Sequence, residues 1–254
     1  MNDLDKLIDD TKRRLDEAGV ADRTIGGSYR TPAGTSLAGY FDHTVLKPET
    51  SAEMVENLCN EAMDAGTASV CVPPNRVEQA ASLLTGTTVK VCTVTGFPLG
   101  YDRSEAKVAE TKRAVALGAH EIDMVLSIGL LKDGDLRSVY NDIRVVVEAA
   151  APAVVKLIVE TALLTKEELV IAGLLGVHAG CAFLKTSTGF GPAGAKTEHV
   201  EALRRLAGDK VGVKAAGGIK TLAFVKELVQ AGADRIGASS TLAILAEAEG
   251  QKGE

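Results

Sequence analysis

Tryptophan is absent from this 254-residue chain, and aromatic residues together make up only 4% of it. Stacking platforms for bases or sugars are therefore scarce, which counts against single-stranded nucleic-acid binding. Positive charge is in deficit as well: 28 Lys and Arg face 34 Asp and Glu, a formal net charge of −6. With no basic stripe, nothing answers the phosphate density of DNA or RNA, and any bound anion must be met locally. Cysteine is sparse. Cys59, Cys71, Cys92 and Cys181 show neither paired metal-ligand spacing nor the density of a disulfide framework, and they read as buried reduced thiols, Cys71 and Cys92 as strand fillers. His43, His120, His178 and His199 are scattered without an H-E-x-x-H or a His/Cys cluster, so no metal and no cofactor is expected. No GxGxxG follows the first strand and no GxxxxGKS/T occurs, so the Rossmann and P-loop folds lack their phosphate cradles. No stretch approaches ~20 uninterrupted apolar residues, and the charged N-terminal stretch has no apolar targeting core. The expectation is a soluble, cytoplasmic protein without membrane or nucleic-acid partners.

What is present is an aliphatic core: 46% of the residues are hydrophobic and 24% charged, ordinary globular usage. Leu4, Leu7, Ile8 and Leu15 share one face of a helix over about 3–17, and the Gly-, Thr-, Ser- and Pro-rich stretch that follows has no period. From Leu37 onward, short apolar runs alternate with amphipathic stretches. The runs are LAGYFDHT, ASVCVP, VKVCTVTGF, HEIDMVL, AVVKLIVE, CAFLKTS, VGVKAAGG and DRIGASS. Eight strand–helix periods in this length predict an α/β chain, a closed (β/α)8 TIM barrel with an additional N-terminal helix. Residues 1–36 would be that helix and its connecting loop, and 37–254 the barrel catalytic domain, one domain overall.

Charge inside the strands is the anomaly, because covered parallel strands normally read as continuous apolar runs. Lys156, Lys185 and Lys214 break this rule at equal separations of 29 residues, which predicts consecutive strands and comparable heights. A desolvated lysine, or one beside another ammonium, is pushed toward its amine form. A neutral amine attacks a carbonyl to give a Schiff base, the electron sink that aldol cleavage needs. The plainer alternative is that each lysine neutralises a barrel carboxylate. Asp42, Asp123 and Glu160 stand near the C-terminal ends of strands, where barrels carry their chemistry, and alternation in HEIDMVL turns Ile122, Met124 and Leu126 to the helices if Asp123 faces the lumen.

Two loops suit a phosphate. Gly217-Gly218-Ile219-Lys220 follows strand seven and Gly237-Ala238-Ser239-Ser240 follows strand eight, each leading into a helix. Both also serve as ordinary turns and caps. Asn75 and Arg76 fit either the rim or a simple helix start.

These residues converge on a resemblance. DHTVLKP (42–48), VCTVTGFPLG (91–100), EIDMV (121–125), VKLIVET (155–161), FLKTSTGF (183–190), VKAAGGIKT (213–221) and RIGASS (235–240) resemble the deoxyribose-phosphate aldolase family, class I aldolases on a (β/α)8 barrel. The likeness spans about Phe41 to Leu242. It implies that Lys185 forms the Schiff base, that Lys214 is the second lysine that favours its amine form, and that Asp123 relays protons with Lys214 and a water. It also implies that Asp42 and Thr44 meet substrate hydroxyls and that Lys156 is a supporting rim lysine paired with an acid. Thr188 and Gly189 of the TSTG segment join Gly217, Gly218, Gly237, Ser239 and Ser240 in substrate binding. The implied reaction is reversible cleavage of 2-deoxy-D-ribose 5-phosphate to acetaldehyde and D-glyceraldehyde 3-phosphate by a homo-oligomer, a dimer or tetramer. The alternatives are a Schiff-base aldolase for another phosphosugar or deoxysugar, and a noncatalytic phosphosugar-binding barrel.

This chain departs from some members in two places. Phe190 stands where they carry a basic residue after TSTG, which leaves Lys220 to offset a phosphate, and the C-terminus AEAEGQKGE lacks the tyrosine that folds over their site. The N-terminal helix is expected either to plug the barrel base or to join a subunit interface.

Overall fold

The computed structural model describes residues 3–251. Its elements run α1 (Asp3–Glu17), β1 (Phe41–Thr44), α2 (Ala52–Ala65), β2 (Ser69–Cys71), α3 (Val77–Leu83), β3 (Lys90–Thr95), α4 (Ser104–Ala116), β4 (Glu121–Val125), α5 (Ile128–Lys132), α6 (Leu136–Ala150), β5 (Val154–Ile158), α7 (Lys166–His178), β6 (Phe183–Lys185), α8 (Thr197–Ala207), β7 (Gly212–Ala216), α9 (Leu222–Gln230), β8 (Arg235–Ala238) and α10 (Thr241–Gly250). All eight expected runs form strands, in parallel sequential order, and β8 closes against β1. Helix starts are set by local chemistry: Ser51 accepts from Met54 N–H, and Thr165 with Glu168 forms a capping box on α7.

Period-two alternation sorts each strand into two faces. Ile122, Met124 and Leu126, with Val155, Leu157 and Val159, pack outward into the main core between barrel and helices. The opposite parity delivers Asp42, Glu121, Asp123, Lys156, Lys185, Lys214 and Arg235 to the lumen, where they bond to one another. A register detail alters the sequence expectation. Lys185 is the in-register partner of Lys214, whereas Lys156 pairs with Phe183, two residues before Lys185. The equal chain spacing therefore matches the β6–β7 register and overshoots the β5–β6 register by two.

Helix α1 does not plug the barrel. It lies outside against α7, its Leu15 fully buried, with Arg14 paired to Glu167 at 2.5 Å and Asp5 paired to Arg205. That cover explains why α7 is apolar around almost its whole circumference. The period-free segment after α1 is what reaches the barrel's base. Tyr140 Oη donates to Ala21 O, Arg23 N–H to His178 O, and Tyr29 N–H to Lys210 O. Asp234 then holds Arg30 Nε at 2.8 Å and Thr31 N–H at 3.1 Å, while its other oxygen takes Arg204 and Val213 N–H. The Tyr29 ring meets Phe183 edge-to-face at 5.6 Å. Gly212 has no side chain because a Cβ there would lie 2.3 Å from the Phe183 ring and 2.8 Å from Tyr29 O.

Candidate active site

A single linked cluster of charge fills the lumen. Asp123, fully buried at the middle of β4, accepts from Lys156 through Oδ1 at 3.0 Å and from both Lys185 and Lys214 through Oδ2 at 2.7 Å. Asp42 on β1 meets Lys214 at 2.5 Å, Lys156 at 3.3 Å and Arg235 at 2.5 Å. Glu121 meets Lys156 at 2.6 Å and Arg235 at 3.3 Å. Beneath them the Phe183 ring carries Lys156 at 6.0 Å and Arg235 at 5.4 Å, a distance range in which a cation is attracted by the ring. Cys92 is part of this cluster rather than a strand filler: its thiol lies 3.2 Å from both Asp123 Oδ1 and Lys156 Nζ. Asp42, Cys92 and Glu121 sit close enough to ligate one cation, and the Lys156 ammonium occupies that place.

Burial disfavours charge on Asp42, Asp123, Lys156, Lys214 and Arg235, and their partners overrule it. Asp123 is held well below the ordinary carboxylate range against its own desolvation, by Lys156, Lys185 and Lys214. Asp42 is lowered against desolvation by Arg235, Lys156 and Lys214. Conversely, Lys156 and Lys214, which are buried, and Arg235, which is half-buried, are held above their usual values by Asp123, Asp42 and Glu121. Burial pushes the Cys92 thiol up, so it stays protonated. The cluster thus contains four cationic side chains and three carboxylates. Lys156 has three carboxylate partners, Lys214 and Arg235 two each, and Lys185 one.

Above the cluster opens a cavity of about 560 Å³ at the C-terminal mouth of the barrel, a volume suited to a small-molecule ligand. Lys185 and Lys214 form its floor, and Thr44, Thr188, Gly189, Gly217, Gly218, Lys220, Gly237, Ser239 and Ser240 line it, so these expected residues do converge. Asp42, Asp123 and Lys156 do not line it. They form the layer beneath, and Lys156, fully buried, belongs to the lumen and not to the rim. Asn75 and Arg76 are absent from the cavity wall; Arg76 donates to Thr50 O and starts α3.

The loops have specific reasons for their residues. Gly217 and Gly218 take φ of +90° and +74°, and Gly217 touches Gly194, whose own Cβ would lie 2.1 Å from Gly217 O. The β6–α8 and β7–α9 loops are thereby welded by Ala195 N–H to Gly217 O. Gly237 makes room for Lys214, since a Cβ there would stand 3.0 Å from Lys214 Cε. Glu160 is the sole non-glycine among the described residues with positive φ, +55°. Its buried carboxylate accepts both N–H and O–H of Thr188, while Phe190 N–H donates to Thr188 Oγ1. Phe190 itself stacks edge-on against Phe97 at 5.3 Å.

The sequence reading missed Arg235 as a site residue, although it too is a charge inside a strand and the rule that found the lysines applies to it. Lys47, exposed on the cavity wall, carried no such signal.

A closed parallel barrel with amines gathered at its C-terminal mouth places the chain among the (β/α)8-barrel enzymes. Residues 37–247 match the model of the DeoC/LacD family aldolases, and the chain belongs to that family. It is accordingly an aldolase, a carbon–carbon lyase. The deoxyribose-phosphate aldolase of Exiguobacterium sibiricum is 53% identical over 211 residues, covering 83% of this chain and 96% of that one. Among solved structures, a chain from Coccidioides immitis superposes with a TM-score of 0.85 at 36% identity over 98% of both chains. The tetrameric deoxyribose phosphate aldolase of Aeropyrum pernix gives 0.79 at 34% identity, over 84% of this chain and 91% of that one. No helix among the described residues is long and apolar enough to cross a membrane.

Proposed function

We propose that the chain cleaves 2-deoxy-D-ribose 5-phosphate reversibly to acetaldehyde and D-glyceraldehyde 3-phosphate through a Schiff base on Lys185. The observation that carries this reading is the charge imbalance of the lumen. Four basic side chains face three carboxylates, and Lys185 is the one with a single counter-charge and a face on the cavity. Its amine form is the nucleophile, and Lys214, held charged by Asp123 and Asp42, stands beside it.

The amine adds to the sugar aldehyde, and loss of water gives an iminium. Removal of the C3 hydroxyl proton then breaks the C2–C3 bond; its electrons pass to the iminium nitrogen, glyceraldehyde 3-phosphate leaves, and an enamine remains. Protonation at C2 and return of water release acetaldehyde and the amine. Asp123, beneath the floor, and Lys214, on it, serve as the proton relay, and Thr44 and Thr188 meet substrate hydroxyls. Gly217, Gly218, Ser239, Ser240 and the α10 N-terminus hold the phosphate, with Lys220 supplying the cation that Phe190 does not. Residues 37–254 carry the chemistry and 1–36 brace it as one unit, in a cytoplasmic protein that forms a homo-oligomer, for which the tetrameric Aeropyrum pernix neighbour is the support.

Borohydride reduction in the presence of acetaldehyde tests the reaction class. An ethyl group on the Lys185 peptide is expected; a folded, unlabelled protein overturns the reading. Comparing deoxyribose with its 5-phosphate tests the substrate, and equal turnover of the two would point to an unphosphorylated sugar.

A further inference from the structure

The structure assigns Cys92 a part in the reaction as a positioning residue: its thiol holds the Asp123 carboxylate in the orientation from which protons pass to and from the Lys185 adduct. This inference rests on the Schiff-base reading above.

Asp123 stands between unequal neighbours. Lys156, Lys185 and Lys214 reach it from β5, β6 and β7, all on one side of β4. On the other side β3 offers Val94, the in-register partner of Asp123, whose side chain has no polar atom. Cys92, two residues earlier on the same strand, is the one donor from that side among the described residues. Its fully buried Sγ lies 3.2 Å from Asp123 Oδ1. The other oxygen acceptor within its reach, Thr93 O, is 3.7 Å away, so the S–H is directed to the carboxylate. Burial pushes the thiol up, and the proton that makes this bond is retained.

Lys156 does not fix Oδ1 alone. Its three N–H groups serve four acceptors, Glu121 at 2.6 Å, Asp123 at 3.0 Å, Cys92 at 3.2 Å and Asp42 at 3.3 Å. Cys92 accepts from that lysine and donates to Asp123, which ties the two partners of Oδ1 to each other. The two carboxylate oxygens therefore differ in role. Oδ2 faces the lysines of the cavity floor and exchanges protons, whereas Oδ1 is anchored. Once Lys185 is an iminium it has a single N–H, and its grip on Oδ2 loosens. The hold on Oδ1 then keeps the carboxylate from swinging about its Cβ–Cγ bond.

The test separates the amount of adduct from proton traffic through it, on the full chain with acetaldehyde alone. Borohydride labelling measures how much iminium is present at equilibrium. In D2O the iminium loses a C2 proton to give the enamine and regains a deuteron, so NMR of the acetaldehyde methyl group follows the relay without carbon–carbon cleavage. Cys92→Ala should lower exchange per labelled site by about fivefold, the loss of one weak hydrogen bond to a charged group. Cys92→Ser, which still donates, should recover most of it. Cys92→Val fills the space without a donor and should behave as Cys92→Ala does, so a failure of either one to fold leaves the other to be read. Unchanged exchange per labelled site in a folded Ala or Val variant, or equally slow exchange in Cys92→Ser, overturns the inference. An unaltered protein that takes no label is a different result: it removes the Schiff-base reading, and this inference falls with it.

Discussion

Lys185 and Lys214 donate to one and the same oxygen, Oδ2 of Asp123, each at 2.7 Å. They are in-register partners on neighbouring strands, so a single carboxylate bridges the two side chains. Asp42 adds a second counter-charge to Lys214 alone. The pair is thereby divided into a lysine with two carboxylate partners and a lysine with one, a distinction their sequence settings do not contain.

Lys214→Leu removes the cation that shares Asp123 Oδ2 with Lys185. Imine formation is expected to slow at neutral pH by about ten- to a hundredfold, on the order of 1.4 to 2.7 kcal/mol. Stopped-flow measurement of acetaldehyde imine formation in the variant and the unaltered protein checks this. Lys185→Arg, by contrast, should fold and show no turnover at any pH, because a guanidinium keeps its proton.

Acid should weaken the fold through the lumen. Asp42 and Asp123 are held below their unfolded values, so their contribution is complete above the ordinary carboxylate range, ~4, and is lost as pH falls from there through the folded values. Thermal melts from pH 6 downward, about two units, should show this decline, and Asp123→Asn should flatten it. That substitution also leaves three ammonium groups without their shared carboxylate, a loss of about 3–5 kcal/mol at neutral pH.

Lys220 is exposed on the cavity wall beside Gly217 and Gly218. Lys220→Ala should raise KM for the 5-phosphate by about tenfold, the equivalent of ~1.4 kcal/mol, and leave KM for deoxyribose unchanged. An equal effect on both substrates would assign Lys220 to something other than the phosphate.

Glu160→Ala removes the acceptor for both polar groups of Thr188 and frees a loop of the cavity wall. KM should rise several-fold with a smaller change in kcat, about 1 kcal/mol of lost positioning. Glu160→Gln, which still accepts, should recover most of it. Steady-state kinetics of the two variants separate this role from a general loss of stability.

The architecture was legible because each element carried its own signal. All eight apolar runs became strands, and the α1 periodicity matched the helix at both ends, Asp3 and Glu17. Strand lysines were legible for a physical reason, since a charge in a covered strand has to find a partner. Their depth was not. Counting residues assumes equal helices and loops between strands, and the β5–β6 connection breaks that assumption, setting Lys156 below Lys185. The path of residues 18–36 was likewise hidden. Glycine, threonine and proline mark a connection, but its route depends on Asp234 and Phe183, about 200 and 150 residues further along, which no local pattern reports.

The unequal count of cations and carboxylates acts on the intermediate as well as on the resting amine. On the proposed chemistry an iminium at Lys185 restores the fourth positive centre, and this one has no proton to release. Its relief is to draw in the electron pair of the scissile bond and become a neutral enamine. The same electrostatic pressure that prepares the nucleophile therefore also pulls the carbon–carbon bond apart.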